Sequence, residues 1–323
     1  MFQGNKTMVT LVVNEFVILG FNEPLGFRLP IFILLTGIYS ATLTGNMMLI
    51  LLVLFNHQLH CPMYFLLSHL SMSDILISTN IAPNTLQLLL AGKHVMSSIS
   101  CMAQLYFFGA SAVIECCLLT VMSYDRYVAI CRPLHYASIM TMTLSLYLVI
   151  GSWLAGVVVS LINICLVLQL SFCGHNVIDH FFCDLAPLLD LSCSDISFVQ
   201  VAVSMVAIVI GLFELIFIII TYIAIFTAIF RISTSKGRQK AFSTCSNHLS
   251  VVCTYYGTLI ALYVAPSRGY SLHLNKILSL LNTLVTPLFN PIIYSLRNQE
   301  IKAAFKKLCF NGQSSNSCGH IRY

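Results

Sequence analysis

The 323-residue chain is 58% hydrophobic and only 8% charged, with a mean hydropathy of +0.88. A water-soluble domain carries about a quarter charged residues, so this composition excludes an ordinary soluble globule and points to a chain that lives in lipid. The net charge of +5 comes without a basic stripe interleaved with aromatics, which argues against nucleic acid as a partner and assigns the excess to loops beside anionic lipid.

In chain order, Asn5-Lys6-Thr7 is a glycan acceptor triplet, useful only outside the cell. The segment from Leu11 to Gly20 is too short, and too interrupted by Asn14 and Glu15, to form a signal-peptide core, so the first helix is expected to be its own insertion signal. A bilayer helix needs about 20 largely apolar residues. Seven such stretches follow, from Pro30 to Phe55, Met63 to Leu90, Ser98 to Met122, Leu144 to Leu170, Phe198 to Phe230, Ala241 to Val264 and Ile277 to Leu296. A closed barrel would need short alternating strands, which the sequence does not show. The expected fold is therefore an all-α membrane protein: an N-terminus (1–29), a seven-transmembrane helix bundle (30–296), then a short amphipathic cytosolic helix and tail (297–323).

Orientation follows from the basic residues of the loops. Arg126, Arg132, Arg231, Lys236, Arg238, Lys240, Arg297, Lys302, Lys306 and Lys307 fall on one side, against Lys6, Arg28, Lys93, Arg268 and Lys276 on the other. The richer side faces the cytosol. A plasma-membrane protein with its N-terminus outside and its C-terminus inside is the expectation, in agreement with the Asn5 acceptor.

At the inner end of the third span, Asp125 and Arg126 stand side by side in Met122-Ser123-Tyr124-Asp125-Arg126-Tyr127. Such a pair can hold itself neutral in one state and release the Arg to a cytosolic partner in another, which reads as a switch. An exposed ion pair worth little is the plain alternative.

Unpaired carboxylates in lipid cost several kcal/mol and turn inward. Asp74 lies about eleven residues from the inner end of the second span, roughly 16 Å at 1.5 Å per residue, and Glu115 lies as far outward from Arg126. With Asn46 of the first span they can form one polar layer, with Asn290 nearer the cytosol. Two acids at one depth cannot both stay ionised unaided. A sodium ion near Asp74 and Glu115, a shared proton, or a fully hydrogen-bonded cluster would each resolve the conflict. Glu214 shows no partner and is expected to face the bundle or to be protonated.

Of 13 cysteines, Cys101, Cys173, Cys183 and Cys193 fall on the outer, oxidising side. They allow three pairings, and spacing does not choose among them. Cys116, Cys117, Cys165, Cys245 and Cys253 read as small packing residues. His175 and His180 neighbour the loop cysteines, but disulfides would consume the thiolates a metal needs, so no metal site is expected. Cys309 is either a palmitoylation site or a free thiol.

Several motifs resemble the odorant receptors of the rhodopsin-like G-protein-coupled receptors, over nearly the whole chain. They are Gly45-Asn46; Leu59-His60-Cys61-Pro62-Met63-Tyr64; Leu70-Ser71-Met72-Ser73-Asp74; Met122 to Cys131; Lys240-Ala241-Phe242-Ser243-Thr244-Cys245 with His248; and Pro287-Leu288-Phe289-Asn290-Pro291-Ile292-Ile293-Tyr294-Ser295-Leu296-Arg297-Asn298. The resemblance implies disulfides Cys101–Cys183 and Cys173–Cys193. It also implies a switch of Asp125, Arg126, Tyr127, Tyr222, Asn290, Pro291 and Tyr294, and coupling to a heterotrimeric G protein of the stimulatory olfactory type that raises cAMP. The sixth span departs from the wider receptor class in having no Trp; the resemblance implies that Tyr256 takes that place below the ligand, as odorant receptors commonly have it. Two positions depart from the family's own pattern: Asn247 stands where Ser is usual, and Asn84 follows Pro83 where Lys is common.

By helical position, the chamber for a small volatile, mainly hydrophobic odorant is expected among Phe108, Gly109, Ala112, Val113, Val206, Ala207, Ile210, Tyr256, Leu259 and Tyr263. A transporter would show inverted repeats, which are not found. A membrane enzyme would need a nucleophile-base or metal constellation, and His69 and His248 stand apart from any such set, so no enzymatic activity is expected.

Overall fold

The computed structural model describes residues 13–21, 24–173, 175–264, 271–297 and 299–310. Its long helices account for the seven expected spans, the fourth ending at Val167 where Leu170 was expected: α1 (Leu25–Phe55), α2 (Pro62–Ala91), α3 (Ser98–Cys131), α4 (Met142–Val167), α5 (Ser197–Phe230), α6 (Ser235–Val264) and α7. The last of these runs Ser271–Leu280, passes through a π-helical turn Leu281–Val285, and continues as Thr286–Arg297. A further helix, α8 (Gln299–Phe310), follows and is tied to α2 by the Tyr64 hydroxyl, which donates to Glu300 at 2.6 Å.

Local chemistry sets the helix ends. Ser97 and Thr141 accept from the backbone amides of Ser100 and Leu144, each at 3.2 Å, capping α3 and α4. Pro62 sits at the first turn of α2, where its missing N–H costs nothing. Helix α2 stops at Gly92, whose φ of 79° suits a residue without a Cβ. In the π-turn of α7 the Thr286 hydroxyl donates back five residues to the Leu281 carbonyl at 3.1 Å, satisfying an acceptor that the widened turn strands.

Five of the described helices are long and apolar enough to cross a membrane by composition alone. Helices α2 and α6 fall short because of residues that turn inward or sit at an end. On α2, Ser71, Ser73, Asp74, Ser78 and Thr85 are each at most 1% exposed, while α6 opens on Lys236, Arg238 and Lys240. The outer face of α5, by contrast, presents Phe198, Val201, Met205, Leu212, Phe213 and Ile216. An apolar exterior around a polar interior is the arrangement a lipid solvent demands. Helix α3 is central, packing against α2, α4 and α5.

Where no strands were expected, three short ones cap one end of the bundle. β1 (Glu15–Ile18) lies between β2 (His94–Ser97), to which it runs antiparallel, and β3 (Val177–Ile178), to which it runs parallel. Phe16 and Ile18 of β1 point down into an apolar cluster with Met96, Phe181, Phe182 and Leu188. Strands of two to four residues drawn from three distant segments leave no periodicity that a sequence window can register.

Candidate functional site

At the sheet-capped end, disulfides join Cys101 to Cys183 and Cys173 to Cys193, the pairing the resemblance implied. Gln104 reinforces the first. Its side-chain oxygen accepts from the Cys183 amide at 2.8 Å, while Gln104 and Asn80 exchange amide bonds between α3 and α2 at 3.0 and 2.9 Å. The loop thus fixed lays Phe182 against Phe108, with ring centroids 5.2 Å apart. On the far side the Lys276 ammonium, buried in α7, donates to Asp179 at 2.6 Å and to the Gly20 carbonyl at 2.7 Å. His180 is fully buried against Phe181 and Phe182. Burial, aided by the Lys276 charge, pushes its pKa down to about 3, so the ring is neutral at pH 7. Among the described residues no group of His, Cys, Asp and Glu is arranged to hold a metal ion.

Beneath this cap, Phe108, Gly109, Ala112 and Val113 on α3, Val206, Ala207 and Ile210 on α5, and Leu259 on α6 are all half-buried, and Tyr256 is buried. The side chain of Tyr263 and all of Asn5 lie outside the described residues, as does the side chain of Cys309. Gly109 abuts α4, since a Cβ there would stand 2.7 Å from the Ser160 hydroxyl. The Tyr255 hydroxyl donates to the Ala112 carbonyl at 2.9 Å and accepts from the Cys116 thiol at 3.3 Å, joining α6 to α3. Glu214, for which the sequence suggested no partner, is buried and accepts from the Cys117 thiol at 3.2 Å. The signal that would have found it is spacing: Val206, Ile210 and Glu214 recur every fourth residue on one face of α5.

Deeper in, Asn46, Asp74 and Glu115 are at most 2% exposed. The Asn290 amide donates to both Asp74 oxygens, at 3.0 and 2.9 Å, and so sits at the carboxylate itself. Asn46 donates to the carbonyls of Thr42 and Pro287, each at 3.0 Å, so α1 supports α7 where Pro287 and Pro291 interrupt the ladder. Asn46, Glu115 and Asn290 each keep one buried side-chain oxygen without a hydrogen bond.

At the open end of the bundle Asp125 and Arg126 are buried, at 1% and 5% exposure, and stand 3.7 Å apart. Asp125 also accepts from the Tyr136 hydroxyl at 2.8 Å. Tyr127 is half-buried and stacks on Tyr124. His248 is not isolated as the sequence suggested. Its Nδ1 is 2.7 Å from the Tyr222 hydroxyl and the two rings stack at 5.9 Å, linking α6 to α5 within electrostatic reach of Arg126. Tyr294 is buried nearby, its hydroxyl without a partner. His69 packs on Phe65 and Trp153.

Comparison with known proteins gives this arrangement its family. The family model described as olfactory receptor matches residues 35–311. Olfactory receptor 5G29 of Mus musculus is 44% identical over 92% of this chain and 94% of its own length. Olfactory receptor 6P1 of Homo sapiens is 44% identical over 91% and 93%. In structure the chain superposes on squid rhodopsin with a TM-score of 0.72 at 15% identity, covering 88% of this chain and 86% of that one. A seven-helix membrane bundle, a doubly disulfide-bonded loop and a buried Asp-Arg pair meet in a chain that belongs to the olfactory receptor family of rhodopsin-like G-protein-coupled receptors.

Proposed function

We propose that this chain is an odorant receptor that takes up small volatile, mainly hydrophobic molecules between α3, α5 and α6 and, when occupied, activates a stimulatory olfactory-type G protein to raise cAMP. The observation that carries this reading is the burial of the Asp125–Arg126 pair. A surface ion pair would contribute almost nothing, whereas a buried one restrains the guanidinium until helix movement frees it for a partner. Helices α3 and α5 each carry both chamber positions and switch side chains, Arg126 on the one and Tyr222 on the other, so occupancy at one end is mechanically linked to the other.

In this reading the protein sits in the plasma membrane, with the sheet-capped end and Asn5 outside and α8 in the cytosol beside anionic lipid. Asp74 and Glu115 would share a sodium ion or a proton in the resting state, and the unpartnered oxygens of Glu115, Asn46 and Asn290 support such an occupant. A signalling response indifferent to both sodium and pH would remove it. The function itself is tested with a cAMP reporter and surface-expressed receptor screened against volatile compounds. A genuine hit disappears in Arg126→Ala at equal surface expression, and one that persists is not receptor signal.

A further inference from the structure

The chamber positions on α5 continue inward. Val206, Ile210 and Glu214 lie on one stripe, and a step of four residues is about 6 Å along the helix, so Glu214 stands directly below Ile210. It is 5% exposed, as is Tyr256, one of the expected chamber positions. The two are within electrostatic reach of one another. Their hydrogen bonding is incomplete: one Glu214 oxygen accepts from the weak thiol donor of Cys117 at 3.2 Å, with the Cys116 thiol beside it, and the other has no partner. The Tyr256 hydroxyl also has none, whereas its neighbour Tyr255 is satisfied by Ala112 and Cys116. A buried carboxyl in lipid with a free acceptor is costly unless something binds there.

We infer that Glu214 and Tyr256 form the polar floor of the chamber, a subsite for a ligand that bears a hydrogen-bond-donating head, an alcohol or a protonated amine, on an apolar chain. The head donates to the free Glu214 oxygen, the Tyr256 hydroxyl meets the head's own oxygen where it has one, and the chain lies upward along Ile210 and Val206. A carbonyl or ester head offers Glu214 no donor and leaves the carboxyl unpaired. The subsite rests on the odorant-receptor function proposed above, because it is only as the floor of a ligand chamber that this pair meets such a molecule.

The test uses full-length receptor in lipid nanodiscs and reads thermal unfolding against 1-heptanol, 1-aminoheptane, heptanal and heptane. The alcohol and the amine are expected to bind about tenfold or more tightly than heptanal and heptane, the discrimination a site built around a hydrogen bond achieves. Glu214→Leu should make the four equivalent. Glu214→Gln keeps an acceptor without the charge, so it should retain the alcohol and lose the amine, and it decides the matter if the Leu variant fails to fold. Equal shifts from all four compounds, no shift from any, or discrimination that survives Glu214→Leu overturns the subsite. Binding is read without a G protein. A failure of Arg126-dependent signalling therefore counts against the receptor function alone, and lost discrimination in a signalling receptor counts against the subsite alone.

Discussion

Lys276 of α7 donates to Asp179 across 2.6 Å, and the same ammonium reaches the Gly20 carbonyl at 2.7 Å. One side chain thereby clamps the first strand and the disulfide-bonded loop to the seventh helix. Asp179 is 45% exposed and can return to water, whereas Gly20 is buried and loses its donor if the lysine goes. Lys276→Met keeps the apolar stem and removes the cation, and should weaken the cap by about 1–3 kcal/mol. Hydrogen exchange should show faster exchange in β1 and β3 with the far end of the bundle unchanged. Unaltered protection in both strands would dismiss the clamp.

His180 makes the cap sensitive to acid. Its pKa is about 3 when buried against the ordinary 6.5, so between those values the opened cap binds a proton that the closed cap does not. Stability therefore rises with pH across that window and falls as pH drops below about 6.5. The charged groups facing the ring are Lys276, which opposes protonation, and Asp179, which favours it. Lowering the outside pH from 7.5 to 5 should speed exchange in β1 and β3, and His180→Phe should flatten that dependence. A cap equally protected at both pH values would contradict it.

Tyr136 should set the resting level of the switch. Its hydroxyl is the shorter of the two contacts to Asp125, 2.8 Å against 3.7 Å for Arg126, and fixes the carboxyl that restrains the guanidinium. Removing a hydrogen bond to a charged group costs about 1.5–3 kcal/mol, part of which the remaining pair retains. Tyr136→Phe should raise ligand-free cAMP about two- to tenfold at matched surface expression, with Asp125→Asn higher still. Basal signal at or below that of the unaltered receptor in both variants would show that Asp125 does not hold Arg126 back.

Much of this was legible in the sequence because lipid imposes a simple rule: spans must be long, helical and apolar outside. Charged residues inside them then announce themselves, as Asp74 and Glu115 do. What escaped depended on contacts between distant segments. His248 looked solitary because Tyr222 lies 26 residues away on another helix, and Asn290 reaches Asp74 across 216 residues. The strands escaped because each is stabilised by partners no local window contains. Glu214 was visible as a charge, and its four-residue spacing from Val206 and Ile210 put it on their stripe; what did not show was the Cys117 thiol that meets it from another helix.

The contact between α3 and α4 gives a prediction with an internal control. A Cβ on Gly156 would stand 2.5 Å from Ile114 Cγ1 and 2.7 Å from the Ala110 carbonyl oxygen, so α4 can approach α3 only because that hydrogen is not a methyl. The Ile114 side chain can shift, but the backbone oxygen cannot without moving α3. Gly151, on the same helix, has nothing within 4 Å of the same position. Gly156→Ala should therefore destabilise the bundle by about 1–3 kcal/mol through overpacking, while Gly151→Ala should be neutral or gain up to about 1 kcal/mol from helix propensity. Thermal unfolding of the two variants side by side in nanodiscs separates them. Equal midpoints would mean that α4 does not pack on α3 at the distance seen here.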